Sequence, residues 1–290
     1  MRILMVHGIA QGGRDENELK QIWIETLQEG FDMANRPWPR AVSFDFPYYG
    51  DLLDAFVARA NLPTPASVQA KGPGQNLDFE KFMQSALDQM KDAGGISDDQ
   101  VRRQLPADGP QEKGIQNWGW VQAIARVIDN RLTPASNFTI ELFLREVFLY
   151  IARRQVADAI NALVAQRLTA EPTIVIGHSL GSVVAYNMLK AHRSQIDLRR
   201  FITVGSPLGL RAISSKLGVA NNVADPAGWF NAYDDADIVA LNPLDKKWFP
   251  VQPRITNHGK VKNNTDNHHG VIGYLNDATV AAQVAVALGQ

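Results

Sequence analysis

Cysteine is absent from this 290-residue sequence. Its absence excludes disulfides, thiolate metal sites and cysteine nucleophiles. An excess of charge of either sign is missing too: 29 Lys and Arg oppose 30 Asp and Glu, for a formal net charge of −1. Such a balance gives no electrostatic reason to expect nucleic acid or an anionic membrane surface as a partner. Long hydrophobic runs are lacking as well. The most apolar later stretch, Phe138–Ile151, is short for a bilayer and is interrupted by Glu141, Arg145 and Glu146, so no transmembrane segment is expected. At the N-terminus, Arg2-Ile3-Leu4-Met5-Val6 runs straight into His7-Gly8. No charged region, long apolar stretch and cleavage site precede it, which predicts a cytoplasmic protein. Without a secretory signal the two Asn-x-Thr sequons, at Asn137 and Asn263, carry little meaning. Neither a dinucleotide nor a phosphate-loop fingerprint follows the first strand, so no cofactor and no metal are expected.

What is present is an ordinary globular composition, 45% hydrophobic and 20% charged, long enough for a sizeable core. Strand-like apolar runs recur at Ile3–Val6, Ala41–Phe46, Thr173–Ile176, Phe201–Val204, Trp229–Tyr233 and Val251–Thr256. Helical patterns lie between several of them, an alternation that predicts a mostly parallel α/β sheet flanked by helices. Leu180–His192 and Ala278–Leu288 read as helices covering its faces, and Asn137–Leu168 as one long helical stretch. Between about residues 61 and 114 the texture changes, with Pro63, Pro65, Gly72-Pro73-Gly74, Gly94-Gly95 and Gly109-Pro110 punctuating short helical patterns. This segment reads as a helical insertion within a single domain spanning 1–290. Its helix Leu77–Lys91 sets Phe79, Phe82, Met83, Ala86, Leu87 and Met90 at helical spacing; Ser97-x-x-Gln100 has the form of a capping box, and Trp118–Asp129 is a further helix.

The chemistry concentrates at Thr173–Ser182, where an apolar strand enters Gly177-His178-Ser179-Leu180-Gly181 and a helical pattern follows. Strand, Gly-x-Ser-x-Gly and helix in that order form a nucleophile elbow, a tight turn that exposes a serine hydroxyl. That hydroxyl needs a base, and imidazole titrates in the working range. Of six histidines, His7 and His178 sit where their backbones serve geometry, and His192 closes a helix. The loop Asn263–Gly270, carrying His268 and His269, holds the candidates. An orienting acid is expected from the strand that begins at Trp229 and ends in Asp234, Asp235 and Asp237. Asp237 precedes apolar Ile238-Val239-Ala240 and is preferred, while Asp234 and Asp235 read as solvated turn residues. Two backbone donors should converge on the oxyanion. Leu180 N–H, next after the serine, is one; Ile9 N–H, in the glycine-rich loop after the first strand, is the other.

Taken together, strand–His7-Gly8, the elbow, Trp229…Asp237 and His269-Gly270-Val271-Ile272-Gly273-Tyr274-Leu275 resemble the α/β-hydrolase superfamily in order and spacing. The segment from Trp229 to Val239 is similar to the acid-bearing strand of lipase- and esterase-like members. The resemblance selects Asp237 over its neighbours and His269 over the alternative His268. It implies a small α/β-hydrolase fold of about six strands, with residues 61–114 as a helical cap, and a serine hydrolase acting through Ser179, Asp237 and His269. Carboxylic esters, of small molecules or lipids, are the implied substrates. Acyl transfer, thioester cleavage and a catalytically silent binding module are the alternatives on the same fold. Trp118, Trp120, Tyr48 and Tyr49 are candidates to line the pocket, or to pack.

Overall fold

The apolar runs become strands β1 (Arg2–Val6), β2 (Ser43–Asp45), β3 (Thr173–His178), β4 (Leu198–Val204), β5 (Trp229–Ala232) and β6 (Thr256–His258). In the computed structural model, which describes residues 1–60, 62, 76–105, 118–131 and 139–290, they form one sheet. Its order is β2-β1-β3-β4-β5-β6, and every described pairing is parallel. The helices along the chain are α1 (Glu16–Met33), α2 (Gly50–Ala60), α3 (Leu77–Ala93), α4 (Asp98–Arg102), α5 (Trp118–Asp129) and α6 (Ile140–Ala152). They continue with α7 (Arg154–Ala165), α8 (Leu180–His192), α9 (Arg211–Ser214), α10 (Val271–Leu275) and α11 (Ala278–Ala287).

Strands buried on both faces need apolar side chains at successive positions, and Ile3-Leu4-Met5-Val6 and Ile174-Val175-Ile176 supply them. Ile3, Met5, Ile174, Ile176 and Ile202 face one layer, built from α1, α10 and α11. Leu4, Val6, Val175, Phe201 and Trp229 face the other, where α8 lies on the sheet and α3, α5, α6 and α7 extend the same apolar core. On α1, Leu19, Trp23, Leu27 and Phe31 recur every fourth residue and are all buried, so one stripe of the helix docks it.

The chain steps from β1 outward to β2, then crosses back to place β3 on the other side of β1. Loops leaving β1 and β3 therefore diverge at their carboxyl ends, opening the crevice that parallel sheets offer at a reversal of strand order.

Three expectations need adjustment. The predicted long helix over Asn137–Leu168 is two helices, broken at Arg153, whose backbone is extended (φ −114°, ψ 101°). Tyr150 Oη donates to Asn161 Oδ1 at 2.7 Å across this break. In a straight helix, residues eleven apart lie about 16 Å apart along the axis, so only the bend allows the contact. The last strand is displaced from the predicted Val251–Thr256 to Thr256–His258. Pro253 lacks the N–H a ladder requires, and Val251 and Ile255 instead bury their side chains as loop residues. The second strand pairs over Ser43–Asp45 alone.

In the described part of the expected insertion, α3 buries its predicted apolar face, and Ser97 and Gln100 cap α4 reciprocally. Both helices pack on α5. Residues 61, 63–75 and 106–114 of that segment, and Asn137, lie outside the described residues. No helix among the described residues is long and apolar enough to cross a membrane.

Candidate active site

Ser179 occupies the turn between β3 and α8 with φ 54° and ψ −129°, a backbone conformation that persists only where the surroundings enforce it. They do so from three directions. Its N–H donates to Val204 O at 3.1 Å, and its carbonyl accepts from Ser182 N–H at 2.9 Å and Ser182 Oγ at 2.6 Å. A Cβ at Gly177 would lie 2.7 Å from Ser182 Cα, and one at Gly181 would strike the carbonyls of Val6 and His7. Strand, helix and the end of β1 are thus too close for any residue but glycine at both flanking positions.

Of the expected partners, the structure brings together His269 and Asp237. His269 Nε2 lies 2.8 Å from Ser179 Oγ, and His269 Nδ1 lies 2.7 Å from Asp237 Oδ2. Both His269 and Asp237 are buried. An Nδ1–H that donates to the carboxylate leaves the Nε2 lone pair to accept the serine proton. His268 is not near the serine: its backbone is left-handed, and its exposed ring contacts Asn263 O.

Asp237 has a further donor that the sequence did not suggest. Tyr274, one turn into α10, donates its hydroxyl to Asp237 Oδ2 at 2.5 Å, while Val239 N–H bonds Oδ1 at 3.0 Å. Burial, and then the charge of Asp237, push the Tyr274 phenol well above its ordinary range, so it remains a donor. The spacing of Tyr274 five residues after His269 was a usable signal, since both sit on the short stretch that closes over β5.

The loop bearing His269 is held by polar contacts. Asn263 Nδ2 donates to Gly270 O at 2.8 Å, and Asn263 Oδ1 accepts from the N–H of Thr265 and from its hydroxyl. Thr265 Oγ1 in turn accepts from Gly270 N–H, and Asn267 Oδ1 from His269 N–H. Asp234 anchors this loop, its Oδ2 accepting from Asn263 N–H at 2.5 Å and its Oδ1 from Ala236 N–H. It is therefore a buried loop anchor and not the solvated turn residue expected; Asp235 is exposed as predicted.

The two histidines assigned backbone roles also use their rings. His178 Nε2 donates to His269 O at 2.7 Å, tying the elbow to the histidine loop. Burial, reinforced by His269, holds its pKa well below the ordinary value, so the ring is neutral. His7 Nδ1 donates to Gly8 O at 2.8 Å and Nε2 accepts from Tyr49 N–H at 3.0 Å. Burial lowers its pKa to about 4, in keeping with a neutral Nδ1–H tautomer. Because C=O and N–H point in opposite directions across a trans peptide, fixing Gly8 O toward His7 turns Ile9 N–H away from that ring.

Gly8 abuts Ser179, a Cβ there lying 2.8 Å from Ser179 Cβ. Leu180 opens α8, where an N–H has no acceptor within the helix. Ile9 lines a cleft of about 390 Å³ that reaches Ser179, His269 and His7. Leu19, Ile22 and Trp23 of α1 form one wall, Val271 and Ile272 of α10 another, and Arg14 with Gln11 stands at the glycine-rich loop. Trp118, Trp120 and Tyr49 are packed in the core instead, and Tyr48 donates to Gln11 O. None of the described residues of the 61–114 segment lines this cleft. Among the described residues, no group of three or more His, Asp or Glu is placed to hold a metal ion. No protein-family model matches the chain, and no curated protein is detectably similar to it in sequence.

Proposed function

We propose that the protein is a serine hydrolase that cleaves small carboxylic esters through an acyl-enzyme on Ser179. The observation that carries this reading is the unbroken chain from Ser179 Oγ to His269 Nε2 at 2.8 Å and from His269 Nδ1 to Asp237 Oδ2 at 2.7 Å. His269 takes the serine proton as Oγ attacks the ester carbonyl, and Asp237 stabilises the imidazolium so formed. Leu180 N–H and Ile9 N–H receive the oxyanion. As the tetrahedral adduct collapses, His269 returns the proton to the departing alkoxide. Water then attacks the acyl carbonyl as it gives a proton to His269, and His269 passes that proton to Ser179 Oγ as the C–O bond to the serine breaks and the acid leaves.

The cleft supports a substrate of modest size. Its volume of about 390 Å³ lies toward the small end for ligand sites, and its walls at Leu19, Ile22, Trp23 and Ile272 suit an apolar acyl or alcohol group. Short-chain aryl esters are the assay of choice. The test is labelling by a fluorophosphonate probe together with ester turnover. Both should be present in the wild type and lost in Ser179→Ala, with kcat falling by about 10⁴-fold or more. Labelling that persists in Ser179→Ala, or a wild type inert to both, would overturn the assignment.

A further inference from the structure

The proton path leaves several buried carboxyls unused, and one of them reaches the loop after β1. Glu146 lies on α6, is 1% exposed, and comes within 3.3 Å of the amide nitrogen of Ala10, 136 residues earlier in the chain. Its other oxygen, Oε1, is buried with no hydrogen-bond partner among the described residues. A carboxyl group so placed is costly to keep in an apolar layer, and hydrophobic neighbours such as Phe143, Leu144 and Val147 would be served as well by leucine. What it contacts is the loop that carries Ile9.

Beyond Ala10 the loop is tied to the start of α2, Gln11 O accepting from Tyr48 Oη and Gly13 N–H donating to Asp51 Oδ1. Ala10 is exposed and stands in the left-handed region (φ 57°), which disfavours a residue with a Cβ. Ile9 N–H lies in the Gly8–Ile9 peptide plane, and the Ile9–Ala10 plane flanks it across the Ile9 Cα. His7 Nδ1 holds the first through Gly8 O. The second, joining Ile9 to Ala10, is gripped at both ends: Gln11 Nε2 donates to Ile9 O at 2.9 Å, and Ala10 N–H donates to Glu146 Oε2. Gln11 belongs to the same loop, and its own carbonyl accepts from Tyr48 Oη ahead of α2. Glu146 is the contact that fastens this plane to a helix of the core.

We propose that Glu146 is a positioning residue for the oxyanion-binding loop, holding the Ile9–Ala10 peptide from beneath so that Ile9 N–H stays aimed at the reacting carbonyl. The proposal rests on the assignment of Ser179 as an ester-cleaving nucleophile. Its ionisation supplies a readout. Burial, with the charge of Asp54 on α2 as a lesser contribution, raises the Glu146 pKa to about 7, against the hydrogen bond from Ala10. Tyr49, ahead of α2, is the other titratable group coupled to it, and no ion pair to Glu146 forms among the described residues. The carboxyl therefore binds Ala10 as a neutral acid below pH 7. Above it, a negative charge sits one peptide from the developing oxyanion and opposes it.

The experiment compares wild type, Glu146→Met and Glu146→Gln in ester turnover and fluorophosphonate labelling from pH 5.5 to 8.5. Methionine removes the acceptor, so at pH 6 kcat should fall about 10- to 100-fold with KM little changed, the scale of a partly misaligned oxyanion donor. Glutamine keeps an acceptor for Ala10 and should restore most of that loss. Because glutamine cannot ionise, the ratio of its kcat to that of wild type should rise about three- to ten-fold as pH passes through 7. Wild-type kcat in Glu146→Met at pH 6, or a flat Glu146→Gln ratio, would overturn the proposal while leaving Ser179 in place. If Glu146→Met does not fold, the Glu146→Gln ratio decides alone. A wild type that neither labels nor turns over ester would remove the nucleophile assignment and this proposal together.

Discussion

The elbow and the histidine loop deliver their residues to the same point by opposite means. At the elbow the restraint is steric: Gly177 and Gly181 are hemmed by backbone atoms, and Ser179 is pressed into a strained turn between a strand and a helix. At residues 263–270 there is no such crowding by regular structure. A web of side-chain hydrogen bonds from Asn263, Thr265 and Asn267, fastened to Asp234, holds His269. Steric restraint is stiff and tolerates no added atom, whereas a polar web yields by degrees as single bonds are removed. The glycine-rich loop after β1 combines the two, with Gly8 against Ser179 on one side and His7 and Glu146 as polar anchors on the other.

The sharpest way to break this contrast is Gly181→Ala. The methyl group would meet the carbonyls of Val6 and His7, and backbone must move to admit it. A loss of about 3 kcal/mol in stability is expected, seen in urea unfolding. Probe labelling at Ser179 should fall by about 100-fold, as for a displacement of about 1 Å. Next in size is a pH effect on the oxyanion loop. Glu146 has its folded pKa raised from 4.5 to about 7, so the folded state binds the proton more tightly. The stability from that proton is complete below pH 4.5 and is lost as pH rises to about 7. Across that window Glu146→Gln should gain about 3 kcal/mol relative to wild type, measured by urea unfolding at each end. His7, with its pKa lowered from 6.5 to about 4, acts in the reverse sense, stabilising above 6.5 and losing that contribution as pH falls through 4. In the wild type the two slopes therefore oppose each other where their windows overlap.

Asn263→Ala tests the polar web. It removes the donor to Gly270 and the acceptor for Thr265. The expected cost is about 2 kcal/mol in thermal or urea unfolding. Turnover should drop by about 30- to 100-fold in kcat, with less change in KM, because His269 is misplaced but the cleft remains. A fall as abrupt as that of Gly181→Ala would show that the loop is as stiff as the elbow and the contrast false. The smallest effect belongs to Tyr274→Phe, which removes one of the donors on Asp237 and the acceptor for Asp234 N–H. A loss of about 1 kcal/mol and a kcat lower by about ten-fold are expected from steady-state kinetics and unfolding.

The same contrast explains what the sequence revealed. Steric restraint demands particular residue types at fixed local spacing, so Gly177-His178-Ser179-Leu180-Gly181 and the buried strands β1, β3, β4 and β5 were legible directly. The helices at Leu180–His192 and Trp118–Asp129 also stand at their predicted bounds, because amphipathic spacing is local. Polar anchors were not legible. Asp234 looked like a solvated turn residue because Asn263, its partner, lies 29 residues further on, and Glu146 looked like a mere interruption of an apolar run. The ring functions of His7 and His178 depend on Tyr49 and on the main chain of His269, which no local pattern connects to them. The break at Arg153 likewise owes its logic to Tyr150 meeting Asn161 across a bend that helical periodicity does not foresee.

The position of β1 between β2 and β3 carries a consequence for the making of this protein. Arg2–Val6 is translated about 170 residues ahead of its partner Thr173–Gly177. At ordinary elongation rates that interval is on the order of ten to thirty seconds. Throughout it the Ile, Leu, Met and Val side chains of β1 have only the short β2 beside them, so one edge of an apolar strand stays unpaired until β3 is made. The central pairing of the sheet is thus made only when β3 arrives beside β1, and Ser179 follows that strand directly.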